Sequence, residues 1–288
     1  MEGKQIRQFR ARKGVKAIQN KSGILLGLLI LVTFFAIKAP NFLSQKNLLN
    51  ILLQSSITAI VALGMTMVIT GGGIDLSVGS VLAISSIVSA NFMTDGMPMP
   101  LSILLGIAIG TGFGVVNGFI ISRTSIAPFI VTLGMQSIAR GIVYIICNGV
   151  PITKLPVAFN VFGGGKIAGV VPVPVVFMLA FAVLAFIILH RSKFGRHIFA
   201  VGSNENTAYL SGVNVVKVKK SMYIFCSAFA AIAGIIYASR VISGQPNAGE
   251  GYETDAIAAT VIGGTSMAGG QGSIVGTVMG ALIMGILS

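Results

Sequence analysis

The sequence predicts an all-α polytopic membrane protein with about 8–10 transmembrane helices and two glycine-broken segments in related halves. Three observations lead there. Of 288 residues, 54% are hydrophobic and only 9% are charged, whereas about a quarter of a soluble domain is charged, and mean hydropathy is +0.92. Apolar runs of about twenty residues, enough to cross a bilayer, recur along the chain. The 37 glycines gather in two stretches that interrupt those runs.

The chain begins with a basic arm, 1–21, read as cytoplasmic, and continues as a single transmembrane domain, 22–288. The first apolar run, Ser22 to Ile37, resembles a secretory leader, but it ends in Ile37-Lys38-Ala39-Pro40 without a small-x-small cleavage site. It is read as a retained first span. Further spans are expected at 48–70, 74–93, 101–122, 126–147, 171–190 and 221–243. The stretch 255–288 holds one interrupted span and the start of another, and it stops at Ser288 while still apolar, as if cut inside or just after a helix.

The first glycine-rich stretch runs Thr70-Gly71-Gly72-Gly73-Ile74-Asp75-Leu76-Ser77-Val78-Gly79-Ser80, and the second runs from Val261 to Ser273 through Gly263-Gly264 and Gly269-Gly270-Gln271-Gly272. Each reads as an apolar run, a glycine turn and re-entry into another apolar run. Such interruptions are tolerated in a membrane where the backbone is buried in protein or lines a cavity. Glycine also recurs every fourth residue at Gly106, Gly110, Gly114 and Gly118, and again at Gly272, Gly276 and Gly280. These ridges let helix backbones approach closely in lipid, and packing within one chain is preferred to a seam between two.

Basic residues set the orientation. With the arm inside, its seven cations, Arg123 and the six of the Arg191–Lys220 loop, fourteen in all, share one side against Lys38, Lys46, Lys154 and Lys166. Residues 148–170 are then external. The net charge of +13 is clustered beside apolar spans, which suits topology and contact with anionic lipid and not a nucleic-acid footprint. Cys147 and Cys226 lie in apolar runs with no disulfide or zinc spacing. His190 and His197 flank the loop and are read as solvated interfacial groups.

The loop 191–220 is the only long polar interval between strongly apolar blocks. Within it Ser203 is read as an N-cap, Glu205 lies in the first turn where a helix favours an anion, and Gly212 is a C-terminal stop. These signals bracket a short helix, Asn204 to Ser211, marginal alone and expected to form by docking. The residues alone leave open a plain topological loop.

No enzyme signature is present: there is no HExxH or GxSxG, and Gly165-Lys166-Ile167 lacks the Ser or Thr of a phosphate loop. No catalytic residue and no metal site is expected. Asp75 reads as the lone acid near a span interior, as a helix cap before a solute contact, because an isolated central charge costs roughly 2.5–3.5 kcal/mol on insertion scales. Arg140 and Arg240 are expected to snorkel outward. Asn117, Gln136 and Ser85-Ser86 are neutral polar groups inside spans, suited to a hydroxylated solute or to a neighbouring helix. Asp75, Ser77, Asn117 and Gln136 are the candidate translocation path.

The run Ile69 to Ser80 resembles the glycine-rich signature of ribose-type permeases, the membrane subunits of bacterial ATP-binding-cassette sugar importers. Phe194-Gly195-Arg196 through Ala200-Val201-Gly202-Ser203-Asn204-Glu205-Asn206 to Ser211-Gly212-Val213 resembles that family's cytoplasmic coupling segment. Asp255 to Gly264 and Gly270-Gln271-Gly272-Ser273 look like its third block. The likeness spans about residue 48 to the end.

The resemblance implies a permease domain in a bacterial cell membrane that passes ribose or a related monosaccharide inward by alternating access. It implies a second permease copy, a homodimer or pseudo-dimer, an extracytoplasmic sugar-binding protein, and an ATP-binding subunit carrying the ATP and Mg; no cofactor is expected on this chain. Ser203, Asn204, Glu205, Asn206, Ala208, Ser211 and Gly212 would sit on the ATPase surface, Glu205 pairing with one of its cations. Family members usually continue through another span and a short basic tail. An ion-coupled carrier, a membrane enzyme or scaffold, and a permease for a nucleoside, branched-chain amino acid or autoinducer remain alternatives.

Overall fold

A computed structural model describes residue 23 and residues 25–288. The basic arm, 1–21, and Ser22 at the start of the first expected span lie outside the described residues. The chain folds into helices α1 (Leu25–Lys38), α2 (Gln45–Thr70), α3 (Val78–Thr94), α4 (Met99–Arg123), α5 (Pro128–Cys147), α6 (Val173–Phe186), α7 (Lys193–Ser203), α8 (Glu205–Leu210), α9 (Val215–Val241), α10 (Tyr252–Ile262) and α11 (Ile274–Leu287). Among the described residues, α2, α4, α5, α9 and α6 with its π-turn extension to Arg191 are long and apolar enough to cross a membrane, and α1, α3 and α11 are shorter apolar helices. Each expected span thus has its helix, with bounds moved by a few residues.

Two helices form the core. From Ser55 to Thr70 every residue of α2 is buried, and α9 is buried along most of its length between α2, α3 and α4. A helix apolar on all sides belongs in the centre of a bundle. α4 and α5 are largely exposed, with Phe119, Phe129, Ile130, Ile138 and Ile145 on their outer faces. The ridge Gly106–Gly110–Gly114–Gly118 is buried and lies against Ser85 and Ser89 of α3 and Tyr223, Ser227 and Ala231 of α9. Gly280 meets Ala259 of α10, and Gly276 meets Gly263 just past its end, in the same manner. Both ridges therefore pack within the chain.

Hydroxyls join the helices where lipid offers no hydrophobic drive. Thr66 and Thr277 share a 2.7 Å hydrogen bond between α2 and α11, Thr260 of α10 donates to the Ala62 carbonyl, and Ser85 of α3 donates to the Ala231 carbonyl. Ser85 is accordingly a helix-to-helix contact, and Ser86 bonds its own helix at Ala83.

The interval 148–172 is not featureless. It holds a 3-10 turn, Val157–Val161, and a two-stranded antiparallel hairpin, Lys166–Ile167 with Val171–Pro172. The Ser239 hydroxyl donates to the Phe159 carbonyl and accepts the Gly163 N–H, tying this cap to the end of α9.

At the other end of the bundle the two glycine-rich stretches meet. The Gly270 N–H donates to the Thr70 carbonyl at 2.8 Å, and Gly272 lies on the Thr70 side chain. The first stretch is the connection 71–77 between α2 and α3; the second separates the eleven-residue α10 from α11.

Candidate functional site

The basic interval folds as two helices, α7 and α8, where one was expected. Ser192 caps α7 by accepting the Gly195 N–H at 3.0 Å. Gly195, Ile198 and Val201 face the bundle while Lys193, Arg196 and His197 face outward, the spacing of an amphipathic surface helix. His190, at the π turn, is half-buried and stacks on Phe186 at 4.9 Å, so it is not a freely solvated group.

Ser203 is the last residue of α7, its hydroxyl spent on the Phe199 carbonyl. The N-cap of α8 is Asn204, whose Oδ1 accepts the Thr207 N–H at 2.8 Å. The expected cap therefore shifts by one residue, because α7 continues through Ser203 and Asn204 is the first with extended backbone. Glu205 holds the first turn as expected. At the far end Gly212 has φ +81°; its N–H bonds Tyr209 O and the Val213 N–H bonds Ala208 O. That pair of bonds is a Schellman stop, which glycine enters without Cβ strain.

α8 is fastened lightly. Ala208 is its one buried residue, and Asn206 and Ser211 are exposed. Glu205 Oε2 accepts from Lys219 Nζ of α9 at 2.6 Å, so the acid expected to meet a partner's cation is already paired within the chain. Tyr209 is 71% and Leu210 84% exposed. These are two bare apolar side chains on an otherwise polar tip. They were passed over in the sequence, although they are the apolar pair inside the polar interval.

The base of this segment sits directly on the glycine turns. Gly202 Cα lies against the Thr70 carbonyl and the Gly270 N–H, and Gly270 lies against Ser203. A cavity of about 340 Å³ beside it is lined by Gly71–Gly73, Val201–Gly202, Asn204–Glu205 and Tyr223. α7 thus meets both glycine turns mainly through backbone, with the Ser203 side chain against Gly270.

The candidate path residues fall into two places. Asp75 is wholly buried and ends the first glycine stretch: its Oδ1 accepts the Ser77 N–H at 2.9 Å and the Ser77 hydroxyl at 2.6 Å. Asn117 of α4 donates to the Ser77 hydroxyl at 2.9 Å. Tyr223 and Thr132 both donate to the Ile74 carbonyl at 3.4 Å. Asp75, Ser77 and Asn117 thus form one internal network that pins the re-entry into α3.

Gln136 belongs elsewhere. With Arg140 it straddles the midpoint of α5, and its amide donates to Glu253 Oε1 at 3.3 Å. Arg140 does not snorkel: its Nη1 donates to the carbonyls of Pro246 and Ala248 at 2.7 and 2.8 Å, holding the irregular stretch before α10 against α5. Asp75 is consequently not the lone acid inside, for Glu253 lies there too. The signal was present in the spacing of Gln136 and Arg140, which puts both on one helix face, and in Glu250 and Glu253 beside Gly249 and Gly251.

Among the described residues there is no group of three or more acidic, histidine or cysteine side chains placed to hold a metal. Long apolar helices, a buried centre and a basic end define a multi-pass membrane protein.

The chain belongs to the family described as the branched-chain amino acid transport system / permease component, matched by residues 47–288. It is similar to the ribose import permease protein RbsC of Bacillus subtilis (strain 168), 43% identical over 290 residues that cover 100% of this chain and 90% of the relative. It is 44% identical to the ribose import permease protein RbsC of Escherichia coli (strain K12) over 268 residues, 92% of this chain and 83% of the relative. The D-allose transport system permease protein AlsC of the same organism is 36% identical over 271 residues, 93% of this chain and 83% of the relative. No solved structure matches the chain.

Proposed function

We propose that the chain is the membrane permease subunit of an ATP-driven sugar importer, passing ribose or a related monosaccharide inward by alternating access. The observation that carries this reading is that whole-chain relatives are named as sugar permeases and the segment expected to couple is the one seated on both glycine turns. Ser203 to Gly212 docks on a separate ATP-binding subunit, which holds the ATP and Mg. Tyr209 and Leu210 supply the apolar contact, and Glu205 exchanges Lys219 for a cation of the partner. A second permease copy covers the exposed faces of α4 and α5, a sugar-binding protein delivers solute outside, and lipid surrounds the rest; nucleic acid has no part. Residues 1–21 and 191–220 are cytoplasmic in this reading, in a bacterial cell membrane.

The test is co-purification of the ATP-binding subunit from native membranes with wild type, Glu205→Arg and Gly212→Pro. Capture by wild type and its loss in either folded variant is the expected result. Solute uptake by the chain alone, without an ATPase, overturns the reading in favour of an ion-coupled carrier. The family description favours one second reading, a branched-chain amino acid as solute; uptake of leucine and none of ribose by the assembled importer supports that reading instead.

A further inference from the structure

Gln136, Arg140, Glu250 and Glu253 face one cavity of about 280 Å³, with Ser80 of α3 in its wall. Ser80 is wholly buried, and its hydroxyl has no hydrogen-bond partner in the chain; Glu253 Oε2 is likewise buried without one. Gly79 makes room for that carboxylate, which rests against its Cα. Buried polar atoms without partners are uncommon, and each asks for an explanation.

The charges are equally unusual. Arg140 lies within electrostatic reach of Glu250 and Glu253, yet among the described residues the only ion pair is Lys219 with Glu205. One cation and two acids therefore share a cavity at the midpoint of α5 without closing on one another. Charge at that depth is costly unless it meets protein, water or a polar ligand. The cavity opens at Glu250 and Gly251, both exposed on the subunit surface beside α5.

Donors and acceptors both line this space. Arg140 and Gln136 donate, Glu250 and Glu253 accept, and the Ser80 hydroxyl does either. A neutral molecule carrying several adjacent hydroxyls satisfies such a mixed lining, since each hydroxyl both donates and accepts. A carboxylate-bearing solute is disfavoured, because it meets two acids for one cation. We propose that Ser80, Gln136, Arg140, Glu250 and Glu253 form the polyol-binding station at which the solute's hydroxyls are read on the way through the bilayer. This rests on the sugar-import reading above and adds the site within the chain. Asp75 and Asn117 also keep one buried oxygen each without a partner, but they do not line this cavity.

The experiment is uptake of ribose, arabinose, xylose and allose by the importer reconstituted with its ATP-binding subunit and binding protein, comparing wild type with Glu253→Gln, Glu250→Gln and Gln136→Leu. Loss of one hydrogen bond to a charged group is worth about tenfold or more in affinity. The expected result is a rise of about tenfold or more in the KM of uptake and a changed order of preference among the four sugars. A purely structural role moves the maximal rate or assembly and leaves that order alone. If Glu253→Gln fails to assemble with the ATPase, Glu250→Gln at an exposed position and Gln136→Leu on a helix face carry the same readout. Unchanged KM and sugar order in these variants, with a wild type that transports, overturns this station alone. A wild type that binds an ATPase and imports none of the sugars overturns the sugar reading and the station together.

Discussion

Replacing Gly202 with alanine tests whether the basic segment acts through backbone contact. A Cβ at this position lies 2.7 Å from the Gly270 nitrogen and 2.9 Å from the Thr70 carbonyl carbon, and closer still to the Thr70 oxygen. These are backbone atoms on two glycine turns joined by the Gly270–Thr70 hydrogen bond, so no rotamer relieves the overlap. Overpacking of this kind costs about 1–3 kcal/mol, or roughly fivefold to 150-fold in the equilibrium that seats α7 on the turns. Gly212→Ala is the matched control. Nothing lies within 4 Å of its added carbon, so it bears only the left-handed backbone strain at φ +81°, about 1 kcal/mol. Limited proteolysis of 191–220 and sugar uptake by the assembled importer read the two. Gly202→Ala should be cleaved faster and should lose uptake more than Gly212→Ala. Equal behaviour of Gly202→Ala and wild type in both assays, or a worse Gly212→Ala, refutes transmission through this contact.

Glu205→Gln removes an ion pair whose acid is 51% and whose base is 23% exposed; such pairs are worth about 0–1 kcal/mol, so a thermal melt at low salt should barely move and should not move at high salt. Asp75→Asn keeps an oxygen for the Ser77 N–H and hydroxyl and should melt near wild type, whereas Asp75→Leu should lose about 1–3 kcal/mol. Sugar uptake that persists in Asp75→Asn also counts against an ion-coupled carrier built on this acid. Gly114→Leu drives a side chain into Tyr223 O and Ser227 of α9; fluorescence-detected size exclusion should show loss of the folded peak.

Most of the bundle was legible because bilayer thickness forces long apolar runs, and each run became a helix. The two glycine ridges were legible because a four-residue spacing of small groups has one physical use in lipid. What escaped was of another kind. α7 escaped because its apolar residues, Phe194, Ile198, Phe199 and Val201, are interleaved with Lys193, Arg196 and His197 in a helix of eleven residues, short beside the spans, and with it went the true cap at Asn204. The cavity at Glu253 escaped because its parts come from α3, α5, the stretch before α10 and the first turn of α10, distant in sequence and joined by Arg140 reaching the carbonyls of Pro246 and Ala248 and by Gln136 reaching Glu253. Position along one chain does not show which polar groups a fold will face toward each other.

α10 connects the two places that the sequence kept apart. It is eleven residues long, about 16 Å at 1.5 Å per residue, with Glu253 in its first turn and Gly263 just past its last. Gly263 packs on Gly276, and the turn beyond it reaches Gly202 and Thr70 at the base of α7. α10 also packs along its length on α2, through Thr260 and the Ala62 carbonyl, and on α11, through Ala259 and Gly280. If a partner shifts α7 and α8, the expected outcome is that this packed unit carries Glu253 relative to Gln136 and Arg140 on α5. The 3.3 Å bond between Gln136 and Glu253 is then the contact that should open and close with each cycle. Crosslinking cysteines placed at Gln136 and Glu253 should form in the absence of ATP and fall away when the ATPase is trapped closed. Crosslinking that is equal in both states breaks the link between the two sites, whatever each does alone.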